Sequence, residues 1–258
     1  MIPDQPASPP PVLLTEPIQE AQPWGLWATV GWSLLIMLLA LVAQTAAIFV
    51  VALVQMASGV KIDPERIAND GDYLAVATCG LGVAGIGLSM FFAAVRKGIT
   101  VKDYLALRLP RAKEFVRHLL VLFGLVLLSD GISLLLGKPI VPEVMIEIYQ
   151  SASWALPILW VALLITAPLS EEFFFRGFMF AGLQRSALGT IGTIVLTAAV
   201  WAAIHVQYDL HGILVIFFLG LFLGWVRYRT GSLWLCVMLH SIMNLIATIQ
   251  LLIVLARR

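Results

Sequence analysis

Charge is scarce in this chain: Asp, Glu, Lys and Arg make up 12% of its 258 residues, against about a quarter in a soluble domain. A soluble core could not absorb the several apolar runs of about twenty residues that take the place of those charges, whereas a bilayer can. Cysteine is scarcer still. Cys79 and Cys236 are the only two, both within apolar runs, which excludes a disulfide framework and a Cys-rich metal motif. There is no His-Glu-x-x-His helix, so a zincin-type site is excluded. No Lys or Arg precedes Lys61, so the basic start of a cleaved signal peptide is missing and none is expected. The net charge of +1 gives no one-signed field, and no nucleic-acid partner is expected.

What is present is apolar: 60% hydrophobic residues and a mean hydropathy of +0.96. The expected fold is all-α, a polytopic membrane bundle of about seven to eight transmembrane helices. Residues 1–26 hold seven of the thirteen prolines and read as a disordered tail. Residues 27–153 form N-terminal spans around a basic loop, 96–117, and 154–256 form an apolar core. The first span runs from about Leu26 to Met56. The second, about Tyr73 to Val95, carries Gly80, Gly82, Gly85 and Gly87, a pattern for close helix packing. The loop 96–117 has seven basic residues against Asp103 and Glu114, which places it, and with it the N-terminus, in the cytoplasm. Further spans are expected near 118–136, 154–180, 188–205, 213–226 and 233–255. This count leaves Arg257 and Arg258 on the outer side, against the charge rule; a buried or re-entrant half-span would remove the conflict.

Inside the fourth span lies Ser170-Glu-Glu-Phe-Phe-Phe-Arg176. Carboxylates and arginines at membrane depth each cost about 2.5–3.5 kcal/mol on insertion scales, so they are rare, paired and usually functional. Glu172 and Arg176 are four apart and share a helical face, where they can pair. Glu171 points about 100° away and is free for another task. Three further polar sites share this half: Trp201-Ala-Ala-Ile-His205, the Gly220-x-x-x-Gly224 face, and His240-Ser-Ile-Met-Asn244. Singly, each has a structural explanation as a hydrogen-bonded core histidine or a packing face. Asp130, and Asp209 with His211, read as wet boundary residues. Together, Glu171, His205, His240 and Asn244 come from three spans. A rise of about 1.5 Å per residue puts Glu171 roughly 20 Å, and His240 about 12 Å, from the cytoplasmic ends of their helices. Those depths are compatible with one interior site containing a Glu able to act as general base.

These residues resemble the CPBP (ABI) family of intramembrane proteases, which includes the CAAX prenyl endopeptidases. The pattern is Glu171-Glu172-x-x-x-Arg176, then Trp201-x-x-x-His205, then a glycine-rich helix with Gly220 and Gly224, then His240-x-x-x-Asn244. It covers about 154–250, with Trp201 where phenylalanine is common in the family. The resemblance implies peptide-bond hydrolysis in the membrane of a bacterial cell, on a hydrophobic, prenylated or leader-peptide substrate. It implies Glu171 as the base that activates water, and His205 as a partner of that water. His240 and Asn244 would stabilise the oxyanion, with Glu172 and Arg176 orienting them. A divalent metal such as zinc on Glu171, His205 and His240, and a metal-free glutamate mechanism, both fit those residues. The partners implied are the lipid bilayer and a lipidated or hydrophobic peptide. A non-catalytic scaffold or immunity protein of the same fold is the main alternative. A small transporter is the other, although no inverted repeat supports it.

Overall fold

The computed structural model describes residues 22–63, 67 and 70–258. Residues 1–21 of the proline-rich tail lie outside the described residues. Every regular element among the described residues is helical. Six helices among the described residues are long and apolar enough to cross a membrane: α1 (Leu26–Ala57), α2 (Gly71–Val95), α4 (Ala112–Leu135), α6 (Leu156–Leu183), α8 (Leu210–Thr230) and α9 (Leu233–Leu255). Three shorter helices complete the set: α3 (Val101–Leu105), α5 (Glu143–Ser151) and α7 (Gly189–Ala203). The protein is thus a multi-pass membrane helical bundle.

Short polar side chains start these helices. Asp70 accepts the Asp72 and Tyr73 N–H groups, Asp209 that of Gly212, and Ser232 that of Leu235. Each satisfies backbone donors that the first helical turn leaves free. At the other end of α8, Gly231 adopts φ 62°, and the chain turns directly into α9. Most of the gap between the spans expected at 213–226 and 233–255 is therefore helix.

Glycines set the contacts between helices. A Cβ on Gly80 would lie 3.0 Å from Ala47 of α1, and one on Gly82 only 2.2 Å from the Thr166 methyl of α6. In α8, Gly220 meets Ala198 and Trp201, and Gly224 meets Ile194, so the Gly-x-x-x-Gly face packs on α7. α6 itself is wound in two registers. It widens to π-helix over Ala162–Thr166, just before Pro168, and again over Phe173–Met179. Pro168 cannot donate to the carbonyl four residues back and its ring crowds that turn, which accounts for the first widening.

The bundle has two distinct ends. At one, the Arg108 guanidinium bonds the Thr230 carbonyl, Leu233 N–H bonds Ala106 O, and Trp24 donates to Phe92 O. This end gathers the basic loop 96–111, Arg185 and Arg229. At the other, Lys138 pairs with Asp209 at 2.7 Å, His211 meets Ser133 at 2.8 Å, and Arg258 forks onto Glu143 at 2.9 Å. α7 leaves the first end and arrives at the second, so the described residues pass seven times between them. Its 15 residues reach only about 22 Å. No re-entrant half-span is found among the described residues. Arg258 lies opposite the basic loops, with its charge matched by Glu143.

Candidate active site

The second π segment of α6 follows Glu172 and carries Arg176. Both side chains are fully buried, and Arg176 Nη1 donates to Glu172 Oε1 at 2.9 Å. The same Glu172 oxygen meets His240 Nδ1 from α9 at 2.9 Å. Arg176 Nη2 reaches the Gly220 carbonyl of α8 at 3.1 Å, and its guanidinium lies 4.7 Å over the Trp201 ring of α7. One ion pair thereby holds four helices. Sharing of this kind offsets part of the cost of burying the pair, while Glu172 Oε2 and Arg176 Nε stay buried with no hydrogen-bond partner among the described residues.

Glu171, one residue earlier, turns away from that pair toward a cavity of about 700 Å³ that it lines together with Trp201, His205, Tyr208, His240 and Asn244. Its Oε2 accepts the Trp201 indole N–H at 2.5 Å and lies 3.9 Å from His240 Nε2. Among the described residues, Oε1 takes no hydrogen bond from the protein. His205 sits just past the end of α7, with Nδ1 2.7 Å from the Trp201 carbonyl and its ring stacked at 6.2 Å on Tyr208. With a proton on Nδ1 donated to that carbonyl, Nε2 is left as an acceptor. Trp201 is the hub. Its ring also lies edge-on to both histidines, at 5.4 and 5.2 Å.

Asn244 donates from Nδ2 to Leu163 O at 2.8 Å, within the first π segment. Arg227 Nε donates at 2.9 Å to Arg176 O, within the second. A π turn displaces backbone carbonyls from the regular ladder, and here a side chain of another helix binds a carbonyl in each widened turn. One amide hydrogen of Asn244 is committed this way, and the other remains.

The structure therefore gathers Glu171, His205, His240 and Asn244 on one cavity and places Glu172 and Arg176 behind it. Sequence reading passed over two groups: the N–H of Trp201, which had counted only as an aromatic ring, and Tyr208. Burial first, and the Glu171 carboxylate second, raise the Tyr208 phenol above its ordinary range, so its hydroxyl keeps its proton at neutral pH. Asp130 is no plain boundary residue: it lines the same cavity and accepts from Gln250 at 2.7 Å.

Among the described residues, no three His, Cys, Asp or Glu side chains converge as a metal-holding group. Glu171, His205 and His240 share a cavity, but Glu171 Oε2 is already engaged by Trp201. As arranged, these three are not a zinc cage of about 2 Å bonds.

Residues 153–246 match the family model of the Rce1-like type II CAAX prenyl endopeptidases. Over that segment, the CPBP resemblance holds. The matched segment contains Glu171, Glu172, Arg176, His205, His240 and Asn244, and the family it matches is described as one of endopeptidases. Comparison with curated proteins and with solved structures finds no match.

Proposed function

We propose that the chain is an intramembrane endopeptidase in which Glu171 activates the attacking water. One observation carries the reading. Glu171 stands on the cavity wall with Oε2 fixed by Trp201 and Oε1 without a protein partner. A water on Oε1 would give its proton to the carboxylate as its oxygen bonds the scissile carbonyl carbon. His205 Nε2, as acceptor, would orient the second water proton.

The oxyanion then needs donors. His240 Nε2, the second Asn244 amide hydrogen and the Tyr208 hydroxyl are the groups on the wall that can supply them. His240 serves in this role when Nε2 carries a proton while Nδ1 donates to Glu172. Each preorganised donor of this kind is worth about 2.7–4 kcal/mol in related chemistry. Collapse of the intermediate breaks the C–N bond, and the proton held on Glu171 passes to the leaving amine. The substrate class is a hydrophobic, lipidated or leader peptide, and the basic loop 96–117 puts the N-terminus in the cytoplasm.

The test is cleavage of a quenched-fluorescent peptide library by the purified protein in detergent, run beside Glu171→Gln and with and without a strong zinc chelator. Loss of general-base action should lower hydrolysis by about 100-fold or more. Full activity in Glu171→Gln would sink the reading. Chelator-insensitive cleavage is expected from the site as arranged, and sensitivity would bring a metal into the mechanism.

A further inference from the structure

The cavity has a mouth and a floor, and charge marks which end of the bundle each belongs to. Its rim is built by Lys138, Glu143, Asp209 and His211. No residue of 96–117, 184–188 or 227–232 lines it. Between Glu171 and the basic end the interior is filled. Phe173 to Phe180 are all buried, as are Leu233, Leu235 and Cys236, and Arg227 lies at the edge of that plug over the Phe180 ring. Among the described residues, the cavity at Glu171 is therefore closed toward the basic end of the bundle and open toward the other.

That end is the one poor in basic charge. Ten of the sixteen Lys and Arg residues, Arg96 to Arg117 with Arg185, Arg227 and Arg229, belong to the closed end, and Arg176 is interior. Among the described residues the open end keeps Lys61, Lys138, Arg257 and Arg258, the last of which Glu143 neutralises. Basic residues flanking the spans are retained on the cytoplasmic side.

We infer that the site is served from the extracytoplasmic side. Its substrate is then a translocated, membrane-anchored peptide whose scissile bond lies in the outer half of the bilayer, not a lipidated tail presented from the cytoplasm. This rests on the protease reading for the reaction, but the direction of access stands on geometry and charge alone.

Two measurements test it. The first is labelling of Gln150→Cys, on α5 at the open end, and Lys102→Cys, in the basic loop, with a membrane-impermeant maleimide in intact cells. The unaltered protein serves as the blank for Cys79 and Cys236. Gln150→Cys should label before permeabilisation and Lys102→Cys only after it; the reverse pattern overturns the inference whatever the activity. The second uses co-reconstituted single-span quenched-fluorescent peptides, with the cleavable window in the outer or the inner half. Cleavage of the outer-window peptide, lost in Glu171→Gln, supports the inference, and cleavage of the inner-window peptide alone overturns it. If neither is cut, the protease reading fails while the labelling still decides the side of access.

Discussion

At the residue scale, Glu172 and Arg176 are the most exposed to loss of a partner, because neither touches water. Arg176→Met leaves Glu172 with only His240 against its charge, and uncompensated buried charges cost about 3–5 kcal/mol. Thermal unfolding in detergent should show that loss, with much of it recovered in Glu172→Gln/Arg176→Met. Recovery would identify the pair as a matched charge set rather than a source of net stability. Trp201 makes a different prediction. Trp201→Phe removes the donor on Glu171 Oε2, and hydrogen bonds to charged groups contribute about 1.5–3 kcal/mol. Cleavage should fall about ten- to hundred-fold, in kcat rather than KM. Replacement by the isosteric β-(3-benzothienyl)alanine, which keeps the ring and lacks only the N–H, should give the same fall without loss of thermal stability. The pairing of Glu172 with Arg176 was legible because four residues on a helix bring two side chains together wherever the helix goes. The Trp201–Glu171 bond was not, since its partners are thirty residues apart and only the α6–α7 contact joins them.

At the scale of elements, the glycines of α2 were legible as a packing pattern, although the sequence does not say what each faces. Gly80 faces α1, while Gly82 and Gly85 face α6. Gly82→Ala would drive a methyl into Thr166 Cγ2, and overpacking of this kind costs about 1–3 kcal/mol. Thr166→Ser deletes the methyl it meets, so the double variant should unfold close to the temperature of the single Thr166→Ser protein. An additive loss would show that the collision is relieved elsewhere. The π segments of α6 could be anticipated at most from Pro168. What fixes them is the pair of acceptors they offer to Asn244 and Arg227, and no local pattern records a partner on another helix. The length of α7 was overread for the same reason. Leu188 to Ile204 carries no charged residue, but the last turn gives way to the Ile204–Asp209 turn, where His205 and Tyr208 enter the cavity wall.

At the scale of the whole molecule, the helical class and membrane setting followed from composition alone, while the polarity of the bundle depended on which loops meet. The open end is held by two exposed ion pairs, Glu143 with Arg258 and Asp209 with Lys138. The Arg258 hydrogen bonds hold the Glu143 carboxyl below its usual range, and Lys138, then the Gly212 N–H, do the same for Asp209. A depressed carboxylate adds stability that is complete above its unfolded value and is lost as pH falls through the folded one. The closure of α5 over the cavity should therefore be steady at neutral pH and loosen below about pH 4. Spin labels at Gln150 and Leu210 should report one narrow distance above that pH and a broad one below it. A distribution unchanged in acid would show that apolar contacts of Ile146 with Leu251 hold α5 without the ions.

A helix of about 22 Å with Ile191 and Val195 exposed on its outer surface cannot match a hydrocarbon layer of about 30 Å. Thinning of the bilayer into a collar on that flank is one response to such a mismatch. An apolar segment drifting into the collar is too long for its surroundings, and one end is pressed into the headgroup region. There it meets water, and its helical hydrogen bonds lose the protection that hydrocarbon gave them. If Glu171 activates water as proposed, such mismatch would do part of the work of unwinding a helix into an extended strand before any side chain of the site had touched it.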